Sequence, residues 1–343
     1  MKRIGIILGT ETSPIEGHGK EFKQYYKKHK KHFDTALQEL ELDNLEDLSY
    51  DIQIFALLKK NAPANVEIVP LWKLEYTKKD LDSLDLVFGL YEFTYALQDY
   101  GFEGVTKYLS LMKNTKAVVC PNYKLQKFVM NKQAYTNYLR KHNFPVLDTI
   151  FFNLDLYKKD KREAKKLYDK ITKKFDGPVF CKPELGGFAK GTKLFKKITL
   201  KSLDQYLTKL IKLEYKKLLI QSYIGEFLKY HEIKTIWIDG KFQYAYGMKV
   251  TSEEGGILKQ SDIDKELLKE LTKKGKEIIK RLTIDFGLPF LLRIDWGCCL
   301  PNSNLCRDYF VNEIEVFPAM VSSDAQDHDA FDRLSKELLK KLK

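Results

Sequence analysis

Residues 292–320 read LRIDWGCCLPNSNLCRDYFVNEIEVFPAM, and the rest of the chain is organised around this stretch. Leu288 to Trp296 is apolar with Arg293 and Asp295 embedded in it. Tyr309 to Phe317 is apolar and β-branched, with Glu313 and Glu315 interrupting it. Pro301, Asn302, Ser303 and Asn304 between them are turn formers, so the spacing predicts two strands joined by a turn. Side chains alternate faces along a strand. Glu313 and Glu315 therefore point one way, Arg293 and Asp295 share a face, and in a closed hairpin Asp295 faces the glutamates. Three carboxylates on one sheet face are costly unless positive charge sits among them. Hard divalent ions take such oxygens. On these residues alone, a hairpin with a solvated acidic face explains the pattern equally well.

The chain has 343 residues, more than one hydrophobic core usually serves, so two or three lobes are expected. No apolar run reaches the ~18 residues of a membrane span. The opening MKRIGIILGT reads as a first strand rather than a signal peptide. The net charge of +12 is carried mostly by dispersed lysines, as in the pairs Lys27-Lys28 and Lys216-Lys217. Nucleic acid is not the expected partner, since arginine-bearing patches with interleaved aromatics are missing. The excess positive charge suits an acidic substrate. Five cysteines, an odd number, and no signal peptide point to a reducing compartment, the cytoplasm. Cys298, Cys299 and Cys306 lack the CxxC pair and nearby histidine of a zinc site.

Strand and helix alternate through the first 120 residues, favouring an open α/β sheet: strands at 2–9, 66–71, 84–89 and 116–120, with helical pattern at 20–60, broken near Asp43-Asn44, and at 91–112, broken at Gly101. A helix is predicted over 124–142, a strand at 149–152, and a basic helix or helix pair over 156–175. Strands follow at 179–182, 192–195 and 218–223. Residues 233–246 form a hairpin about Asp239-Gly240, 251–264 a surface loop, 267–286 a helix ending at Gly287, and 330–343 a closing helix. Between two of these strands, Lys182 is followed by Gly186, Gly187 and Gly191. Small residues let backbone N–H groups close over phosphate oxygens, and a lysine beside them adds charge. No GK[ST] follows, so this is not a P-loop; a flexible hairpin is the plainer alternative.

Taken in order, Lys132 on a helix, Lys182 with its loop, Glu232 before a strand, and then Arg293-Ile294-Asp295, Asn312-Glu313-Ile314-Glu315 and Pro318 resemble the ATP-grasp superfamily. The nearest local likeness is to D-alanine:D-alanine ligases, through Lys182-Pro183, Gly187 and Gly191 and through the metal motif. His231 to Lys241 (HEIKTIWIDGK) is similar to glutathione synthetases and ribosomal-protein glutamate ligases. The resemblance covers about Pro121 to Met320.

It implies an α/β chain, α+β in its C-terminal half, with an open-sheet lobe at 1–118, a central lobe at 119–215 carrying the loop, and a metal-bearing lobe at 216–343, the last two gripping ATP. It implies an ADP-forming carbon–nitrogen ligase that works through an acyl phosphate. Its substrates would be a small molecule or peptide with a carboxylate and an amine-bearing acceptor. By the same likeness, Lys132 and Lys182 contact the α- and β-phosphates, and Gly186, Gly187 and Gly191 belong to the loop closing over them. Gln221, Ser222, Tyr223 and Ile224 offer backbone to the adenine; Glu232 or its rival Glu226 holds the ribose. Lys234 and Lys249 reach phosphate or substrate. Asp295, Glu313 and Glu315 hold two Mg2+ (or Mn2+) ions, and Arg293 stabilises charge on the reacting centre. A homodimer is also in keeping with the resemblance. Departures are Glu315 where the family usually has asparagine, Phe188-Ala189 in place of a small hydroxyl pair, and a first turn, GTETSPIEG, unlike the D-alanine ligase substrate motif. D-Alanine is therefore not the expected substrate. The competing readings are an ATP-grasp kinase of a small anionic or polyol substrate and a degenerate ATP-binding protein.

Overall fold

The computed structural model describes residues 1–9, 20–42, 48–90, 101–185, 190–225, 231–249, 257–298, 309–318, 320 and 329–342. Strands β1 (Lys2–Leu8), β2 (Val66–Trp72), β3 (Leu86–Gly89) and β4 (Val118–Cys120) form a parallel sheet in the order β2-β1-β3-β4. Parallel pairing follows from the helices between the strands, since a parallel return needs a crossover. The central β1 runs buried from Ile4 to Leu8, the apolar run expected of a strand covered on both faces. At its carboxyl end the Gly9 amide donates to the fully buried Asp51 carboxylate at 3.1 Å.

A second sheet, wholly antiparallel, has the order β5-β8-β6-β7, from β5 (Thr149–Asn153), β6 (Val179–Pro183), β7 (Lys193–Phe195) and β8 (Lys217–Ser222). Helices Glu163–Lys174 and Leu200–Lys212 supply Leu167, Ile171, Leu203 and Leu207 to a core that, among the described residues, this sheet shares with no other sheet. The third sheet runs β11-β10-β9-β12-β13, from β9 (Glu232–Ile238), β10 (Lys241–Met248), β11 (Ile257–Leu258), β12 (Leu291–Cys298) and β13 (Tyr309–Glu315), again antiparallel. Its two central strands, β9 and β12, are buried at every residue. The turn between β9 and β10 puts Asp239 and Gly240 at φ 48° and 71°, the left-handed pair for which Asp-Gly is suited. Helix Lys265–Phe286 lies against β9 with Gly275 so near Trp237 that an added Cβ would meet its ring at 2.3 Å.

The first and third sheets share cores. Ile4, Phe88, Ile236, Tyr244 and Phe290 belong to one cluster, and Phe88 meets Phe290 edge-on at 5.9 Å. Each such side chain stabilises by roughly 1.5–3 kcal/mol on burial, so these two sheets form a common base.

Four sequence expectations need correction, the first being the strand predicted over 116–120, which begins at Val118. The helix predicted over 124–142 is two helices, Tyr123–Val129 and Lys132–Lys141, because the Asn131 side chain accepts from the Ala134 amide and starts a new one. The predicted loop 251–264 contains β11, paired to β10 at Gly247 and Met248, and a 3-10 turn at Gln260–Asp262. The strand predicted from Leu84 begins at Leu86, after the Asp85 carboxylate has taken the Arg3 amide at 2.8 Å. The turn expected at 301–304, and Cys299 and Cys306, lie outside the described residues. Cys120, Cys181 and Cys298 are buried.

Candidate active site

The alternation expected of 292–320 is present. In the β12–β13 register Arg293 stands opposite Glu315 and Asp295 opposite Glu313. Carboxylate oxygens of Asp295, Glu313 and Glu315 lie within 4.8 Å of one another. A bulge follows Asp295, since the next pair is Trp296 with Val311. The extra residue is Asn312, and a bulge re-aims side chains. Asn312 consequently reaches the same site as its neighbour Glu313, donating from Nδ2 to Glu232 Oε1 at 2.6 Å.

The positive charge demanded by three acidic groups comes from all sides. Arg293 Nε is 2.7 Å from Asp295 Oδ1, and its Nη2 is 2.9 Å from Asp295 Oδ2 and 2.8 Å from Glu315. Lys234, opposite Asp295 on β9, is 2.5 Å from it and 2.6 Å from Glu232. Lys132, at the first turn of its helix, is 2.7 Å from Glu313. Lys182, the next-to-last residue of β6 in the second sheet, is held more loosely, with Nζ at 3.4 Å and 3.5 Å from the side-chain and backbone oxygens of Asn312. Four acidic groups (Glu232, Asp295, Glu313, Glu315) thus meet four basic ones (Lys132, Lys182, Lys234, Arg293).

The charge states follow from this arrangement. Burial alone would raise the Asp295 carboxyl, but Arg293 and Lys234 hold it below the ordinary value. Burial acts likewise on Glu313, where Lys132 and Lys182 prevail and keep it low. Glu315 is different: burial, with Glu313 and Asp295 against it, outweighs Arg293 and pushes it up to about 7. Lys132 and Lys234 lose by burial and gain more from the acids, so both are raised. Lys182 is lowered, because burial and the charge of Lys132 exceed the attraction of Glu313.

Other expected site residues fall as follows. Glu232 is buried and already engaged by Lys234 and Asn312. Gln221 donates its side chain to Thr149 Oγ1 at 2.9 Å, Ser222 ends β8, and the Tyr223 amide donates to Pro178 O at 2.9 Å. Ile224 packs on Leu147 and Phe310, at the seam between the second and third sheets. Gly191 has φ 78°, and a Cβ there would meet Pro183 and Tyr215 at 2.9 Å, so this end of the loop requires glycine. Lys249 follows β10, is exposed, and is not among the cations paired with the acidic cluster. Gly186, Gly187 and Glu226 lie outside the described residues. Asn312 is a site residue that strand alternation assigns to the wrong face; only the bulge brings it in.

The donor set suits a hard divalent ion: three carboxylates within reach of one centre, neutral or cationic groups around them, and no thiol or imidazole among the partners. Two lysines from other elements beside them, Lys132 and Lys182, suit phosphate oxygens.

Over its full length the chain is similar in structure to a D-cycloserine synthetase (TM-score 0.68, 12% identity, 99% of this chain and 100% of that one). It is likewise similar to the VanG D-Ala:D-Ser ligase of Enterococcus faecalis (TM-score 0.64, 14% identity, 100% and 99%). A D-alanine–D-alanine ligase from Bacillus anthracis, solved with ATP, also matches (TM-score 0.59, 18% identity, 100% and 97%). No protein-family model and no curated relative matches the sequence. At these identities the likeness shows the fold: the chain has the ATP-grasp fold of these ligases. Among the described residues no helix is long and apolar enough to cross a membrane.

Proposed function

We propose that the protein is an ATP-dependent ligase joining a carboxylate to an amine, with release of ADP and phosphate. The observation that carries this reading is that Lys132, paired with Glu313, and Lys182, bonded to the neighbouring Asn312, come from two different elements to the cluster of Asp295, Glu313 and Glu315. The same reading divides the chain at 1–118, 119–215 and 216–343, and assigns it to the cytoplasm.

On this reading Asp295, Glu313 and Glu315 would hold Mg2+ or Mn2+, which when bound screens charge on phosphoryl oxygens. Lys132 and Lys182 bind the nucleotide phosphates, with the loop ending at Gly191 closing over them. Residues 221–224 line the adenine and Glu232 the ribose side. The substrate carboxylate oxygen attacks the γ-phosphorus while the bond to the ADP oxygen breaks, giving an acyl phosphate. The amine nitrogen then attacks the acyl carbon, the carbon–oxygen bond to phosphate breaks, and the nitrogen gives up its proton. Arg293, poised between Asp295 and Glu315, stabilises the charge that gathers on the acyl oxygen. Positioning and preorganised charge supply most of the acceleration, and loop closure protects the acyl phosphate from water.

The test is ATP-dependent phosphate release across pairs of amino acids and dipeptides, with mass analysis of the product and Asp295→Asn as control. A new amide with stoichiometric phosphate, lost in the variant, supports the ligase. A stable phosphorylated product would replace it with a kinase, and release unaffected by the substitution would remove the metal assignment.

A further inference from the structure

Helix Lys132–Lys141 places Tyr135 three residues after Lys132, on the same face. Its ring is packed in the main core and is only 2% exposed. Its hydroxyl has no hydrogen-bond partner among the described residues. Most large buried phenols here are satisfied: Tyr108 donates to Gln126 at 2.7 Å, Tyr157 to Asp204 at 2.6 Å, and Tyr206 to Gly191 O at 2.7 Å. Tyr76 is a second buried hydroxyl with no partner among the described residues, and burial alone governs it. Tyr135 differs, because it also feels the charges of Glu313, Glu315 and Asp295. A phenol is a donor at neutral pH, and burying one unpaired is costly. Here the cost is borne beside an acidic cluster and one helical turn from a lysine that faces it.

We propose that the Tyr135 hydroxyl is a ligand-binding group of this site, donating its hydrogen bond to a phosphate oxygen of the bound nucleotide. The proposal rests on the nucleotide-binding reading above. It adds a neutral donor to the cations Lys132 and Lys182.

The test compares wild type, Tyr135→Phe and Tyr76→Phe by calorimetric titration with Mg·ADP and by thermal melting of the ligand-free proteins. The expected result is about tenfold weaker Mg·ADP binding in Tyr135→Phe, the range for one hydrogen bond to a charged acceptor. Its ligand-free melting temperature stays equal to wild type or rises, since an unpaired hydroxyl has been removed. Tyr76→Phe shows the same melting behaviour with unchanged Mg·ADP affinity. Tyr135→Phe affinity within twofold of wild type overturns the proposal while leaving the nucleotide site standing. A fall of several degrees in its ligand-free melting temperature, or failure to fold, also overturns it by showing a structural bond. Absence of Mg·ADP binding in wild type overturns both readings.

Discussion

Lys234 and Lys182 are both buried lysines at the same site, yet the two sheets that carry them treat them differently. In the third sheet, Lys234 is clamped between Glu232 and Asp295 at 2.6 and 2.5 Å, and those acids raise its pKa despite burial. Lys182 projects from the second sheet and, among the described residues, its ammonium bonds to neutral oxygens of Asn312, at 3.4 and 3.5 Å; burial lowers its pKa against the attraction of Glu313. The third sheet is a preassembled platform whose charges satisfy one another. The second sheet, with a core of its own, presents a cation that the acids of the third sheet attract less than burial costs it. On our reading phosphate makes up the difference.

Asp295→Asn should break this contrast most severely. It removes the acid shared by Arg293 and Lys234, leaving both under-paired, at a cost of roughly 3–5 kcal/mol. ATP-dependent phosphate release should fall by about a thousandfold or more, the scale of lost electrostatic stabilisation, and melting temperature should fall with it.

Lys182→Met should separate activity from stability. Phosphate release is expected to fall about a hundredfold. A lysine whose folded pKa is depressed is charged more readily in the unfolded chain, so it lowers stability at every pH below its unfolded value. The ligand-free variant should therefore melt at or above the wild-type temperature at pH 7. Lys234→Met should do the opposite: its raised pKa contributes stability below the unfolded value, lost only as pH rises through the folded one. Equal destabilisation in the two variants would erase the comparison.

Glu315 sharpens the comparison within the platform. Lifted to about 7, it is protonated at pH 6 and must release that proton to ligate a cation. Mg2+ affinity should rise about tenfold from pH 6 to pH 8, with proton release visible as a buffer-dependent heat. Glu315→Asn should flatten this dependence.

The smallest effect is expected far from the site, at His29. Both its ring nitrogens are buried and have no partner among the described residues. Burial, then the charges of Lys60 and Lys28, lower its pKa to about 4 against the pull of Asp332 and Asp329. The unfolded chain takes up the proton first, so stability falls as pH drops from about 6.5 towards 4. Melting at pH 5 and pH 7 should differ by roughly 2–4 °C less in His29→Phe than in wild type.

These contrasts show which parts of the molecule could be read from its residues. Period-two alternation was enough to place Glu313, Glu315, Arg293 and Asp295 on one face, and Asp239-Gly240 was enough to place a hairpin. Lys182 and Lys132 became legible through their order along the chain and the resemblance it supports, since a lone lysine carries little signal among so many. The bulge at Asn312 was not legible, because an extra residue in one strand depends on the partner strand's register and leaves no composition signature. The contact of Glu232 with Asn312 was hidden for the same reason, whereas Glu232 and Lys234, two apart on one strand, share a face by alternation. The break before Lys132 was available in Asn131, a good N-cap, but the apolar periodicity on both sides masked it. Tyr135 stands at the helical i+3 position from Lys132, which the sequence shows; its hydroxyl, without a partner among the described residues, is visible only in three dimensions.

The most direct test of the central claim is a calorimetric titration of the protein with a non-hydrolysable ATP analogue, with and without Mg2+, in wild type and Asp295→Asn. The account predicts one nucleotide per chain, bound at least tenfold more weakly when either the ion or the Asp295 carboxylate is removed. No binding, or binding indifferent to both, would contradict it.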